Sequence, residues 1–417
     1  MKRLIQVFEY EKLTLHKNDK GFFLEKRELE KLYEFNDNHK NQYFTGIRDG
    51  IKFNSYVGVI QIGGLTIEIL PKADKVNTKE DEDFVTKWRN ALLKMLSVCS
   101  HLKTESVSEA NLKKRHYSLL DLYFEIFLDE VSALLRKGLI KKYHTHTANT
   151  NALKGRINFS KNIQQNLIHQ ERFYTTHQVY DYEHTINQIL LKGLLVLNKI
   201  ANNTYLKDRI NRILLDFPDI KEVEITKIHF DSLVSSRKTV AYQEAIKVAK
   251  MIILNYSPDI KNGEENMLAL LFDMNKLWEE YIFRMLQRTS KEGYSVSSQS
   301  SERFWEHKTI RPDIVITKKT TEKEETYIID TKWKVIDAQN PSDSDLKQMF
   351  AYNIYWNAEK SMLLYPQTSE TNEKFGKFHK GREGENSCKV GFINIFDNLG
   401  KTLDFKIGDK ILEKFEK

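Results

Sequence analysis

Cysteine is nearly missing from this chain. Cys99 and Cys388 are the two in 417 residues, far apart and without metal-ligand or redox-motif spacing. That excludes a disulfide framework and a thiolate zinc site, and it suits a reducing compartment, so a cytoplasmic protein is expected. Proline is scarce too, with 6 against 17 glycines, which argues against long disordered linkers. Long apolar runs are also lacking. The longest helical one, Ile189 to Val196, is interrupted by Lys192 and falls well short of the roughly 20 residues that span a bilayer. The amino terminus, MKRLIQVFEYEKLTLHK, turns charged after a few apolar residues, unlike a secretory signal. No membrane association is expected. A phosphate-binding loop is missing as well: the nearest approach, GKFHKGRE at 376–383, lacks the Lys-Ser/Thr ending and follows no evident strand. The chain is not expected to bind nucleotide itself.

What is present is ample material for packed interiors, 40% hydrophobic residues with 19 Tyr and 23 Phe. At 417 residues the chain exceeds one ordinary core and implies several domains. A net charge of +7 and a pI near 8.9 suit a polyanionic partner. A Lys-rich solvated surface would give the same balance.

The patterning gives an α+β multidomain chain in three stretches. Residues 1–78 read as a β-rich amino-terminal domain, with Gly63-Gly64 as a tight hairpin turn between two apolar runs and Pro71 closing the second. After the acidic loop KEDED at 79–83, residues 79–257 read as mainly helical: Trp88, Leu92, Met95 and Leu96 recur at helical spacing, and Leu119 to Leu135 repeats the pattern up to Gly138. Within that region KKYHTHTANTNALKGRINF lacks periodicity in its polar half and reads as a loop. His144 and His146 have no further ligands at metal spacing, and Gly155-Arg156 reads as a turn with a solvated arginine, or else a partner contact. Residues 258–417 alternate: a long helix from Met267 to Gln287, a β-prone segment from Tyr294 to Trp305, strands RPDIVI and TYIIDTKW, helix LKQMFAYNIYW and strand SMLLYP. That order predicts an α/β domain with a mixed sheet.

Two of those strands carry charge where a core would not. Side chains alternate along a strand, so Asp330 and Lys332 share a face. An interior strand does not bury a carboxylate and an ammonium unless they are paired or hold a metal. Asp313, in the preceding strand and joined through KKTTEKEE, comes beside Asp330 when the strands pair. Spacing alone carries nothing here, since Pro-Asp-Ile occurs three times and Asp-x-Lys five times. Only Asp313 with Asp330 and Lys332 sits in apolar strand runs joined by a polar turn and followed by a helix. Two such carboxylates favour a hard divalent cation, Mg²⁺ when the substrate is a phosphate. The ion polarises a phosphate oxygen and acidifies its water. Lys332 orients that water and offsets developing charge. The predicted chemistry is phosphodiester hydrolysis.

The helix before the strands buries Leu270, Met274, Leu277, Trp278, Tyr281 and Met285 on one stripe, flanked by Glu279 and Glu280. Either acid is placed to complete the metal shell, with Glu279 favoured. In the following helix Gln348 and Tyr352 stand i, i+4 on one face. There they would touch water or a DNA phosphate, or Tyr352 is a core aromatic.

Taken in order, Pro312-Asp313, Asp330-Thr331-Lys332 and Gln348 to Tyr352 resemble the PD-(D/E)xK nuclease superfamily. With YVGVIQIGGLTIEILPK, LKGRINF, YDYEHTINQILLKGLL, MNKLWEEYIF and IIDTKWK, nearly the whole chain resembles the McrC component of McrBC-type, modification-dependent restriction systems. The resemblance implies a restriction-endonuclease-like carboxy-terminal domain that cuts double-stranded DNA with Mg²⁺. It also implies an amino-terminal part that docks on, and stimulates, a McrB-like AAA+ GTPase hexamer. By position Asp313 and Asp330 match the family's metal ligands and Lys332 its catalytic lysine; Glu279 matches the helix acid, with Glu280 competing. Other readings are a self-sufficient PD-(D/E)xK repair or recombination nuclease, and a non-catalytic adaptor that activates an NTPase ring.

Overall fold

The computed structural model of the protein describes residues 3–72, 82–99, 118–257, 266–289, 293–319, 323–334, 341–367, 375–379, 386–398, 400 and 402–416. Most of the KEDED loop, part of GKFHKGRE and the expected boundary at Pro258 lie outside the described residues. The chain folds into two compact units, neither of them one continuous stretch. The first comprises residues 1–2, 61–64 and 106–270, and the second residues 3–60, 65–105 and 271–417.

The first unit is built on helices Leu119–Lys137, Thr185–Ile200, Thr204–Asp216 and Gln243–Leu254. Leu119–Lys137 starts with a reciprocal capping box. The Ser118 hydroxyl accepts the Asp121 N–H at 3.2 Å, and the Asp121 carboxylate accepts the Ser118 N–H at 3.0 Å. It ends at Gly138, whose φ of +86° suits only a residue without a Cβ. Its buried face carries Leu120, Tyr123, Phe124, Phe127, Leu128 and Val131, each contributing about 1.5–3 kcal/mol on full burial.

The polar stretch after it corrects the loop expected there. Lys142–Thr150 is a nine-residue strand, paired antiparallel with Phe173–Asp181, which also pairs with Arg156–Ile157. Lys142–Thr150 has no buried residue and is mostly exposed, so its sequence needs no apolar alternation, and the signal for a half-buried strand is absent. Its threonines still favour extended backbone. Gly155 turns the chain with φ +65°, and a Cβ there would meet the Thr176 carbonyl oxygen at 2.5 Å. Arg156 is exposed.

Arg3–Phe8 and Leu65–Leu70, in the second unit, pair in parallel. Gly63-Gly64 forms the expected two-residue turn, Gly63 taking φ +50°. The carboxy-terminal sheet has six strands, in the order Tyr294–Ser298, Ile314–Lys319, Glu324–Thr331, Lys360–Gln367, Ser387–Asn394, Phe375–Lys377. It is mixed. The first three pair antiparallel, Glu324–Thr331 through Ser387–Asn394 run parallel, and the edge strand returns antiparallel. Helix Asp343–Tyr355 makes the crossover between the two parallel strands Glu324–Thr331 and Lys360–Gln367. Met349 and Tyr352 of that helix pack with Ile328, Leu363 and Tyr365. Tyr327 stacks instead on Phe415 of helix Ile407–Glu416, 4.9 Å between ring centroids. Ile328 and Asp330 therefore look toward the crossover helix, and Tyr327 away from it.

Two boundaries differ from expectation. The helix expected from Met267 begins at Met274, with Asp273 accepting the Asn275 N–H at 3.0 Å as its N-cap, and Met267–Asp273 is a strand. Met267 to Leu270 are all buried, so this apolar run is continuous rather than helical in period. The second motif strand ends at Thr331 rather than Trp333, yet the Lys332 N–H still bonds the Leu364 carbonyl at 2.9 Å.

Helix Met274–Gln287 is fixed from behind by Ile407–Glu416 through a close approach at Gly408, where a Cβ would stand 2.5 Å from the Met285 carbonyl oxygen. Backbone cannot give way as a side chain can. Gly408→Val is expected to lower stability by about 1–3 kcal/mol, read as a shifted urea midpoint. An unchanged midpoint would show that the two helices separate freely.

Candidate active site

The register of the motif strands builds the site. Ile314 pairs with Ile329 across the antiparallel ladder, which sets Asp313, one residue before the strand, level with Asp330. Thr331 then fixes the Asp313 carboxylate: its Oδ2 accepts the Thr331 backbone N–H at 2.6 Å and the Thr331 hydroxyl at 2.9 Å. Both bonds go to one oxygen.

Asp330 is buried, 2% exposed, and ion-paired with the Lys332 ammonium at 2.7 Å. Burial first, and then the charge of Asp313, push its carboxyl up to about 6, against the pull of Lys332. Lys332 feels the opposite balance. Its own burial opposes the charge, but Asp330, Asp345 and Asp313 outweigh it and hold the ammonium above its ordinary pKa.

Of the two helix acids, Glu279 is the one turned toward the strands. Burial and then Asp313 raise its carboxyl to about 7, with Asp330 adding to the rise and Arg311 and Gln299 opposing it. Glu280 instead ion-pairs with Arg284 one turn on, at 3.6 Å. Gln348 and Tyr352 meet as their spacing predicts. The Gln348 amide donates to the Tyr352 hydroxyl at 2.6 Å, and that hydroxyl donates to the Arg311 carbonyl at 2.8 Å. Tyr352 is a core aromatic with a polar task, since it ties down the residue that precedes Pro312-Asp313.

Two members were not singled out by the sequence. Thr331 lies hidden as the unspecified residue of Asp-x-Lys. Asp345 belongs to another Asp-x-Lys repeat, yet the crossover helix brings it to 3.7 Å from Lys332 and 3.6 Å from Lys334. Burial would raise its carboxyl, but the Ser342 hydroxyl, Lys332 and Lys334 together hold it below the usual range. Its place in the first turn of a helix beside two lysines was the available signal.

His144 and His146 lie on the exposed ribbon, His144 beside Asp181 at 3.3 Å and His146 edge-on to His177. Among the described residues, no three His, Cys, Asp or Glu side chains form a ready-made metal shell. Asp313 and Asp330, with Glu279 near, fit a hard cation that keeps much of its own water. The Asp313 charge adds to burial in raising the carboxyls of both Asp330 and Glu279, a repulsion that a cation held among them would relieve.

The folded protein keeps the Glu279 proton up to about pH 7, whereas the free side chain loses it at 4.5, so stability falls as pH rises through that window. Glu279→Gln is therefore expected to melt higher than wild type near pH 8, with the difference vanishing near pH 4. Thermal denaturation at both pH values checks this; a variant melting lower near pH 8 would contradict it.

Comparison with known proteins shows what the chain is similar to. Residues 51–366 match the family model described as McrBC 5-methylcytosine restriction system component. The chain is 24% identical over 243 residues to the type IV methyl-directed restriction enzyme EcoKMcrBC of Escherichia coli strain K12, covering 55% of this chain and 68% of the relative. It shares the fold of a chain in the half-complex of Thermococcus gammatolerans McrB AAA+ hexamers with bound McrC, with TM-score 0.70, 16% identity, and coverage of 99% of this chain and 100% of that one. A chain of the Thermococcus gammatolerans McrBC complex matches at TM-score 0.51 and 18% identity, over 68% of this chain and 87% of that one.

Proposed function

Because the chain belongs to the McrBC 5-methylcytosine restriction system component family, as a McrC-type member, we propose that it is the Mg²⁺-dependent endonuclease subunit of a GTPase-driven, modification-dependent restriction complex. The observation that carries this is the convergence of Asp313, Asp330 and Lys332, with Glu279 facing them, at the end of two paired strands. Double-stranded DNA is the substrate and a McrB-like AAA+ GTPase ring the partner.

Asp313 and Asp330 would hold the cation. When bound, it polarises the scissile phosphate and lowers the pKa of its water. Thr331 leaves one Asp313 oxygen free for that task. Glu279, its carboxyl raised to about 7, stands ready to accept a proton or to join the shell. Lys332, kept protonated by Asp330, Asp345 and Asp313, presents positive charge where the phosphate gains negative charge. Gln348 and Tyr352 act through the backbone before Asp313. Neutralising the carboxylates with Mg²⁺ should raise the wild-type melting temperature near pH 8 and leave that of Asp330→Asn unmoved; equal shifts would remove Asp330 from the shell.

For docking, the first unit offers a surface of its own. Phe159, Ile163, Leu167 and Ile168, on and just after helix Phe159–Asn166, are all exposed beside the polar ribbon. Exposed apolar clusters of this kind mark protein partners. The double variant Phe159→Asp, Ile163→Asp should abolish stimulation of the ring's GTPase while its melting temperature stays close to wild type. Retained stimulation would move the docking surface elsewhere.

The reading as a whole is tested by cleavage of cytosine-methylated plasmid in Mg²⁺, with and without the ring and GTP. Cleavage only with both, reduced about 10²-fold or more by Asp330→Asn or Lys332→Ala, is expected. Cleavage by the chain alone would favour a self-sufficient nuclease. Stimulated GTP hydrolysis without cleavage would favour an adaptor.

A further inference from the structure

Glu9 is a carboxylate in the wrong place for an ordinary core. It follows strand Arg3–Phe8, its backbone N–H bonding the Leu70 carbonyl at 3.0 Å, and it is 3% exposed. Its Oε1 accepts two bonds, from the Trp333 indole N–H at 2.6 Å and the Lys72 N–H at 2.9 Å. Among the described residues, its buried Oε2 has no hydrogen-bond partner. Burial pushes the carboxyl up to about 7. A position needed only for packing would be served better by leucine, which carries no charge into the interior.

What Glu9 holds explains the carboxylate. Lys332 lies beyond the last strand residue, Thr331, and the Lys332 N–H to Leu364 carbonyl bond continues the ladder there. The next residue, Trp333, is 3% exposed and anchors that outgoing chain. Its indole packs against Trp278, 5.3 Å between centroids, and edge-on to Trp88 at 6.4 Å. Trp278 immediately precedes Glu279. One indole thus adjoins both the site lysine and the residue before the helix acid, and a hydrogen bond from Glu9 sets its orientation.

We propose that Glu9 is a positioning residue of the nuclease site, which fixes the Trp333 ring and through it the placement of Lys332 across 324 residues of sequence. The inference rests on the nuclease reading above. It makes the amino-terminal strand a structural part of the cleavage site, in addition to any role in docking.

The test is single-turnover cleavage of methylated plasmid by the full complex with GTP, comparing wild type, Glu9→Leu, Glu9→Gln and Trp333→Phe. DNA affinity, GTPase stimulation and melting temperature are measured beside it. Glu9→Leu should cleave roughly 10- to 100-fold more slowly with DNA affinity and GTPase stimulation retained. Glu9→Gln, whose amide oxygen still accepts both N–H groups, should recover most of the rate. Should Glu9→Leu fail to fold, Trp333→Phe, which keeps the ring and removes the N–H, carries the same expectation. Wild-type cleavage by a folded Leu or Phe variant would overturn the proposal. So would a Gln variant as slow as the Leu one, or parallel loss of cleavage, binding and stimulation, which marks a merely structural role. Absence of cleavage by the wild-type complex would overturn the nuclease reading and this inference with it.

Discussion

The site depends on one pairing, Ile314 with Ile329. It sets Asp313 level with Asp330, and it lets Thr331 reach back to grip Asp313 with its N–H and hydroxyl together. A slip of one residue would turn every side chain of the strand to the opposite face, sending Asp330 among the apolar residues and Ile329 into the site. The register is held because Ile314, Ile316, Ile328 and Ile329 are fully buried, so a slip exposes apolar surface on one side and buries charge on the other. The apolar residues of these strands thus set the geometry of the polar ones.

That geometry stores electrostatic repulsion. Three carboxyl groups approach one another with Lys332 as the principal counter-charge, and burial first, then the charge of Asp313, raises the proton affinity of Asp330 and Glu279. For stability alone the arrangement is poor, because charge neutralisation by mutation relieves it. Strain of this kind persists at functional sites when the surrounding fold over-determines it. Here the crossover helix does so from one side, through Asp345 on Lys332 and Tyr352 on the Arg311 carbonyl. Helix Met274–Gln287 carries Glu279, and Gly408 lets a further helix lock against it at backbone distance.

How much of this the sequence disclosed follows from how local each determinant is. Asp313, Asp330 and Lys332 stood out because charge interrupts apolar strand runs, a contrast visible within a few residues. Gln348 and Tyr352 meet because helical spacing is local too. The sequence favours Glu279 over Glu280 without deciding between them, since adjacent helix residues differ by about 100° of rotation and packing shows which side faces the strands. Met267–Asp273 was misread because a continuous apolar run has no period to separate strand from buried helix. The ribbon Lys142–Thr150 was misread for the opposite reason: with both faces wet, its pattern carries no amphipathic signal at all. Glu9 was beyond reach, its partner Trp333 lying 324 residues away.

The two units solve unlike problems with unlike surfaces. The first leaves Phe159, Ile163 and Ile168 in water, and under the proposed function a partner covering them gains free energy by removing that apolar area from solvent. The second brings carboxylates together around Lys332, and under the proposed function a cation and a phosphate facing Lys332 would relieve their repulsion. An apolar docking surface responds little to salt, while protein contacts to DNA phosphates weaken steeply with it. Under the proposed function, raising ionic strength therefore weakens the cleavage chemistry and the hold on DNA well before it weakens attachment to the ring, so that stimulated GTP hydrolysis outlasts cleavage in a salt titration.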